Sequence, residues 1–234
     1  MSSPYQISRT ERMLNATFRG LTAMLCRVDA EQLKRIPLRG PLILVSNHVN
    51  FLDVPIIYPR LQPASPVTAF AKAETWDNPI MGLLFDFYGA IPIRRGEPDL
   101  TAIKRGLAAL KQGYIIAVTP EGTRSNHGRL LQGHPGVVTL ALMSRAPLLP
   151  IAHYGHESYR QDFSRLRRLD FHAVAGRIFT LDTQGEKVTR EVRQRMTDEI
   201  MFQLSALLPA KYRGAYADLS QATQHYLRFS DLGS

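Results

Sequence analysis

Apolar positions in this chain fall into two patterns: short unbroken runs, and longer segments with a helical stripe. Residues 42–45 form the clearest run, bounded in front by Gly40 and Pro41. A run with no polar alternation reads as a strand buried on both faces. The same pattern predicts strands at 67–71, 114–118, 148–152 and 171–174, and a short one at 91–93. Over residues 8–27 the spacing is helical. Leu14, Phe18, Leu21 and Leu25 share a stripe, joined by Met13 and Met24, while Arg9, Arg12 and Arg19 lie off it. Further helices are expected at 53–58, stopped by Pro59, and at 79–87, 99–112, 137–144 and 189–208. In the third of these Ile103, Leu107 and Leu110 share a side and Gly113 follows the end. Residues 28–41, 60–66, 126–136 and 155–170 read as connectors, the last basic through Arg160, Arg165, Arg167 and Arg168. The tail after Pro209 carries Tyr212, Tyr216 and Tyr226 without an evident role. Strands alternating with helices predict an α/β fold: a mostly parallel central sheet flanked by helices, led by an N-terminal amphipathic helical segment.

Composition narrows this picture. A chain of 234 residues is long enough for one well-buried α/β domain, and 44% hydrophobic with 21% charged residues excludes a disordered class. The net charge of +9 suits an anionic partner: a nucleic acid, a phosphorylated substrate or an anionic membrane surface. A single cysteine, Cys26, excludes an internal disulfide and a cysteine-rich metal site, and reads as a packing residue. No apolar run approaches the roughly 18 residues of a membrane span, so no transmembrane helix is expected. The N-terminus lacks the charged-then-apolar order of a secretion signal. Its helix reads either as packed on its own domain or as a basic amphipathic helix lying in the membrane interface.

Candidate chemistry starts where the first core strand ends. Ser46, Asn47 and His48 follow directly, which places an imidazole at the carboxyl edge of the sheet, where open α/β folds bind ligands. Asp53 follows five residues later, ahead of Pro55. A carboxylate on one ring nitrogen fixes the tautomer and leaves the other nitrogen as a base. The alternative is a hydrogen-bonded loop histidine beside an Asp that caps a helix. Both readings stand at this point.

A second polar stretch, residues 119–125, follows the strand at 114–118. There Gly122, beside Thr123, lets a substrate approach the backbone, and Arg124 offers a planar fork for phosphate or carboxylate. Glu121 is expected to position Arg124 or a hydroxyl, and Arg95 is a third anion ligand. Each arginine alone reads equally as a surface residue or a structural ion pair. His48, Asp53, His127 and His134 lack metal-ligand spacing, so no metal is expected. No Gly-x-Ser-x-Gly elbow is present, which argues against a serine hydrolase.

These blocks together resemble the glycerolipid acyltransferase family, typified by 1-acylglycerol-3-phosphate acyltransferase. Asn47, His48 and Asp53 match its Asn-His-x4-Asp block, and Gly89, Ile91 and Arg95 match its second. Residues 120–125 match Pro-Glu-Gly-Thr-Arg-Ser in full, and Pro147 and Pro150 lie in the fourth, an apolar strand. Arg94 stands where Asp is frequent, and residues 131–136 replace a Phe-Lys-rich segment. The resemblance spans roughly residues 20–180. It implies a glycerol-3-phosphate acyltransferase-like fold, with an N-terminal segment at 1–34, the α/β domain at 35–210 and a C-terminal tail at 211–234.

The resemblance further implies transfer of a fatty acyl group from acyl-CoA or acyl carrier protein to a lysophospholipid hydroxyl. The first acceptor expected is 1-acyl-sn-glycerol-3-phosphate, giving phosphatidic acid. His48 would be the general base, held by Asp53. Arg95, Glu121, Gly122, Thr123 and Arg124 would bind the acceptor. No cofactor beyond the acyl co-substrate and no nucleic acid partner is implied. The expected location is peripheral, on the cytoplasmic side of an anionic membrane. Two rivals remain: another acceptor (glycerol 3-phosphate, a lyso-ornithine lipid or a glycolipid), and a non-catalytic basic module that binds membrane or nucleic acid.

Overall fold

Ser8 opens the first helix, α1 (Arg9–Leu25), by accepting the Glu11 backbone N–H at 3.1 Å on its hydroxyl. The computed structural model describes residues 7–35, 38–61, 63–94 and 99–230. The apolar stripe of α1 is only partly covered by the domain: Leu14 and Phe18 are half-buried, while Leu21 and Leu25 are exposed. Asn15 and Thr22 are its buried residues, and Met13 (73% exposed) and Met24 (74%) face outward. The helix stops at Leu25, where a strand, β1 (Cys26–Asp29), takes over instead of the expected connector. Buried Cys26 alternates with exposed Arg27, the period of a half-covered strand.

The elements then follow as β2 (Leu42–Ser46), α2 (Asp53–Ile57), β3 (Val67–Lys72), α3 (Pro79–Phe87) and β4 (Ile91–Ile93). After residues 95–98, which lie outside the described set, come α4 (Leu100–Lys111), β5 (Ile115–Val118), α5 (Gly136–Ser144) and β6 (Leu148–Tyr154). The chain ends with α6 (Tyr159–Ser164), β7 (Leu169–Ala175), β8 (Phe179–Leu181), α7 (Arg190–Leu207) and β9 (Leu227–Phe229). Two helix starts follow from sequence: Asn78 caps α3 with Pro79 in its first position, and Asp99 caps α4. Among the described residues no helix is long and apolar enough to cross a membrane.

The strands form one sheet in the order β1-β7-β6-β2-β5-β3-β4, with β8 on β6 and β9 on β8. From β6 to β4 every pairing is parallel. The pairings of β6 with β7 and β8, and of β8 with β9, are antiparallel. The fold is thus the expected mostly parallel α/β sheet flanked by helices, extended by three strands the apolar pattern did not reveal (β1, β8 and β9).

Alternate residues of β2 serve opposite faces. Ile43 and Val45 join a core with α5, α7, Tyr212, Tyr216 and Tyr226, while Leu42 and Leu44 join one with Leu52, Ile56 and Phe171. The residues after Pro209 therefore complete the first of these cores. The stretch 155–170 holds α6 rather than only loop.

Candidate active site

β2 lies at the centre of the sheet between β5 and β6. Register pairs Val45 with Val118 on one side and Ser46 with Ile151 on the other. All three strands run the same way, so their polar exits meet at one edge: Asn47 and His48 from β2, the 119–125 turn from β5, and His153 and His156 from β6.

The chain after β2 curls back at once. Asp53 is 5% exposed, and its Oδ2 accepts the His48 Nδ1–H at 2.7 Å and the Val49 backbone N–H at 2.8 Å. Oδ1 accepts the Asn50 backbone N–H at 3.2 Å and the His156 Nε2–H at 2.6 Å. Asp53 is thus the first residue of α2 with its side chain folded under the preceding loop, and of the two sequence readings it is the dyad that forms. Burial pulls its pKa up, but His153 when charged and the hydrogen bonds from His156 and His48 reverse this and hold the carboxyl well below the usual range. With Nδ1–H committed to Asp53, the His48 lone pair lies on Nε2, which has no hydrogen-bond partner among the described residues. The ring is 19% exposed, open enough for a substrate hydroxyl to reach.

Glu121 does not turn to Arg124. It is 2% exposed; Oε1 accepts the His48 backbone N–H at 2.8 Å and Oε2 the Leu131 backbone N–H at 2.8 Å. Burial pushes its pKa up to about 7; the two N–H donors pull the other way, and the Asp53 charge adds to the rise. Two backbone bonds complete the seam: Ser125 N–H to His48 C=O at 2.8 Å and Asn126 N–H to Val49 C=O at 2.9 Å. Arg124, one residue from that seam, is exposed and has no ion-pair partner among the described residues. Thr123 is also exposed. Gly122 has φ +66°, a conformation that favours glycine, and the His134 ring lies over it. Arg95 lies outside the described residues.

The residues that sequence reasoning missed are His153 and His156, both fully buried. His153 is locked to Asn47 three ways. Its N–H donates to Asn47 Oδ1 at 2.9 Å, its C=O accepts from Asn47 Nδ2 at 2.8 Å, and its Nε2–H donates to the Asn47 carbonyl at 2.8 Å. Burial pushes the His153 pKa down to about 4 against the pull of Asp53, so the ring is neutral at pH 7. At that pH the N–H donors, rather than a positive charge on His153, hold Asp53 ionised. The available signal was two histidines directly after an apolar strand, at the same sheet edge as His48.

Asp53, His153 and His156 each bring a ligand atom within 4.8 Å of the others, whereas His127 and His134 join no such group among the described residues. A cation in that cluster would have to displace the His156 contact to Asp53.

The family model described as Acyltransferase matches residues 27–154. A chloroplastic 1-acyl-sn-glycerol-3-phosphate acyltransferase of Brassica napus is 31% identical over 132 residues, 55% of this chain and 38% of that protein. A 1-acyl-sn-glycerol-3-phosphate acyltransferase of Bacillus subtilis is 29% identical over 56% of this chain and 65% of its own length. A lyso-ornithine lipid O-acyltransferase of Pseudomonas aeruginosa is 34% identical over 53% of this chain and 45% of its own. The chain thus spans between about two fifths and two thirds of these relatives. The crystal structure of the 1-acyl-sn-glycerophosphate acyltransferase PlsC from Thermotoga maritima shares the fold. Its TM-score is 0.61 at 19% identity, covering 84% of this chain and 80% of that one.

Proposed function

This chain belongs to the acyltransferase family, and from that premise we propose that it acylates the free hydroxyl of a lysophospholipid, 1-acyl-sn-glycerol-3-phosphate foremost, to give phosphatidic acid. The donor is an acyl thioester, acyl-CoA or acyl carrier protein. The observation that carries this reading is His48 fixed by Asp53 at 2.7 Å, with its second nitrogen left for a hydroxyl. His48 Nε2 takes the hydroxyl proton as the oxygen attacks the thioester carbonyl. The new C–O bond forms, the C–S bond breaks, and the proton passes to the departing thiolate. Ionised Asp53 stabilises the transient imidazolium, and base assistance of this kind is worth roughly 10²–10⁴ in rate. No covalent acyl-enzyme is needed, because the thioester is already activated. Arg124 and Arg95 bind the acceptor phosphate.

The test is thiol release from palmitoyl-CoA with and without lysophosphatidic acid, in wild type and His48→Ala. Acceptor-dependent release that is lost in the mutant supports the reading; release that ignores both acceptor and mutation refutes it. Similarity to a lyso-ornithine lipid O-acyltransferase favours that lipid as the second acceptor to try.

The same proposal includes peripheral docking on an anionic membrane, on the cytoplasmic side. Exposed Met13 and Met24 of α1 and exposed Ile80 and Leu83 of α3 are the apolar contacts, and the exposed Arg9, Arg12 and Arg19 of α1 supply the positive charge. The two helices are joined where Tyr88, just past α3, donates its hydroxyl to Asn15 Oδ1 of α1 at 3.3 Å.

A further inference from the structure

Asp53 has two oxygens, and only one serves His48. A carboxylate on a single-bonded stem rotates broadly about its last torsion. The Val49 backbone N–H at 2.8 Å holds Oδ2, and fixing the plane of the carboxylate takes a second grip, on Oδ1. The Asn50 backbone N–H at 3.2 Å is a weak one. His156 Nε2–H at 2.6 Å is the short, charge-assisted one.

The His156 ring is itself immobilised. It is fully buried, its centroid lies 4.6 Å from that of Phe171 on β7, and its backbone C=O accepts the Asn50 Nδ2–H at 3.0 Å. Its Nδ1 is buried without a hydrogen-bond partner among the described residues, so among them the Asp53 contact is the only polar bond the ring makes. A buried imidazole with one nitrogen unsatisfied is a poor choice for packing alone, where an apolar side chain would cost nothing.

We propose that His156 is a positioning residue for acyl transfer, anchoring Asp53 Oδ1 so that Oδ2 stays aligned with His48 Nδ1. The proposal rests on His48 acting as the base. It makes the edge of the sheet a three-residue relay of position, imidazole to carboxylate to imidazole, drawn from β2, α2 and β6. It also assigns Asn50 a part, since its side chain holds the His156 backbone while its own N–H holds Asp53.

The charged and titratable groups around this array are few. Asp53 faces His156 from α2, and His153 lies beside it on β6 with ring centroids 5.3 Å apart. His48 and Glu121 lie beyond Asp53. Glu157, next in the chain, turns away to the Gly155 N–H at 3.1 Å and the Tyr212 hydroxyl at 2.7 Å. Losing the His156 donor leaves the Asp53 charge less shared. With Oδ1 released the carboxylate turns about its last torsion, Oδ2 leaves its line with His48 Nδ1, and the chemistry slows.

The experiment compares the full chain as wild type, His156→Leu and His156→Gln. Glutamine carries an amide N–H to about the place of Nε2; leucine carries none. The readouts are the His48 Nδ1–H proton signal by NMR, which reports its bond to Asp53, and kcat and KM with palmitoyl-CoA and lysophosphatidic acid. In His156→Leu the His48 Nδ1–H signal moves away from its wild-type, hydrogen-bonded position. There kcat falls roughly 10- to 100-fold with little change in KM, and His156→Gln restores most of both. If His156→Leu does not fold, His156→Asn, whose amide stops short of Asp53, takes its place. A His48 Nδ1–H signal and kcat indistinguishable from wild type overturn the inference. Acyl transfer that persists in His48→Ala overturns the base reading, and with it the catalytic role of His156. Transfer lost in His48→Ala but intact in His156→Leu overturns only the role of His156.

Discussion

Glu121 grips His48 by its backbone, not its ring: Oε1 accepts the His48 N–H at 2.8 Å while Oε2 accepts the Leu131 N–H at the same distance. One buried carboxylate thus ties the loop after β2 to the loop before α5. Glu121→Ala strands two part-buried N–H groups, each worth up to roughly 1–3 kcal/mol when left unpaired. Glu121→Gln keeps a single acceptor and should fall between alanine and wild type. Urea denaturation measures the order of stability, and acyl transfer assays should follow it, since a shift of His48 by about 1 Å costs on the order of 100-fold. Equal stability of all three proteins would show that the seam holds without the carboxylate.

Two buried groups should pull the pH dependence of stability in opposite directions. Glu121 has its pKa raised from the usual 4.5 to about 7, so from 4.5 to 7 the folded protein keeps a proton that the unfolded chain has lost. Its contribution is full below 4.5 and is lost as pH rises through about 7. His153 is lowered from 6.5 to about 4, so there the unfolded chain holds the extra proton. Its contribution is full above 6.5 and is lost as pH falls through about 4. Between pH 4.5 and 6.5 the two slopes, each up to about 1.4 kcal/mol per pH unit, oppose one another. Removing one group should expose the other. Relative to wild type, Glu121→Gln should gain stability with rising pH in this window, and His153→Gln should lose it. Unfolding free energies at pH 4.5, 5.5 and 6.5 give both slopes.

The tail after Pro209 is expected to be indispensable. Glu199 of α7, 2% exposed, accepts the Thr223 hydroxyl at 2.6 Å, the His225 N–H at 2.7 Å and the Tyr226 N–H at 2.9 Å. These bonds seat Tyr226 and Leu227 in the core beside Tyr212 and Tyr216. Glu199→Ala should cost about 2–4 kcal/mol, because it leaves two backbone donors without an acceptor. Ending the chain at Pro209 removes three buried tyrosines, each worth roughly 3–5 kcal/mol on the scale of large aromatic deletions. That sum rivals the whole stability of an ordinary domain, about 5–15 kcal/mol, so the truncated chain should not fold. A cooperative unfolding transition in the truncated protein would contradict this.

What the sequence disclosed divides along range of contact. β2, β5 and β6 were legible because strands buried on both faces need unbroken apolar runs. His48 with Asp53 was legible because both partners lie within five residues. Beyond that range the pattern could mark residues, such as Glu121, but not the partners they reach. β1 is a strand because β7, some 143 residues on, supplies its partner, so its four residues read as the end of a helix and the start of a connector. His156 reaches Asp53 across 103 residues, and Glu121 reaches His48 across 73. Glu121 also misled by its company. Beside Arg124 it suggested an ion pair, but a carboxylate buried under a turn is better satisfied by fixed backbone donors than by a flexible exposed guanidinium. The amphipathic stripe of α1 was visible, but not its direction, because Asn15 and Thr22 are the residues that face the domain.

That direction gives the last prediction. Met13, Met24, Ile80 and Leu83 are each more than 70% exposed, so replacing them touches little of the fold. Met13→Ser with Met24→Ser, or Ile80→Ser with Leu83→Ser, should leave unfolding free energy within about 0.5 kcal/mol of wild type per site. Moving one such side chain from water into the acyl boundary is worth up to about 1.5–3 kcal/mol. Each double variant should therefore weaken binding to vesicles of anionic phospholipid by roughly tenfold or more. Wild-type binding should fall as salt rises, because Arg9, Arg12 and Arg19 act on the surface only within a Debye length of about 8–10 Å near physiological salt. Co-sedimentation across a salt series separates the two contributions: serine variants lower binding at every salt concentration, while Arg12→Gln with Arg19→Gln flattens the salt dependence. Binding that is unmoved by the serine substitutions, and lost only with salt, would make the attachment electrostatic and leave the exposed faces of α1 and α3 without a part in it.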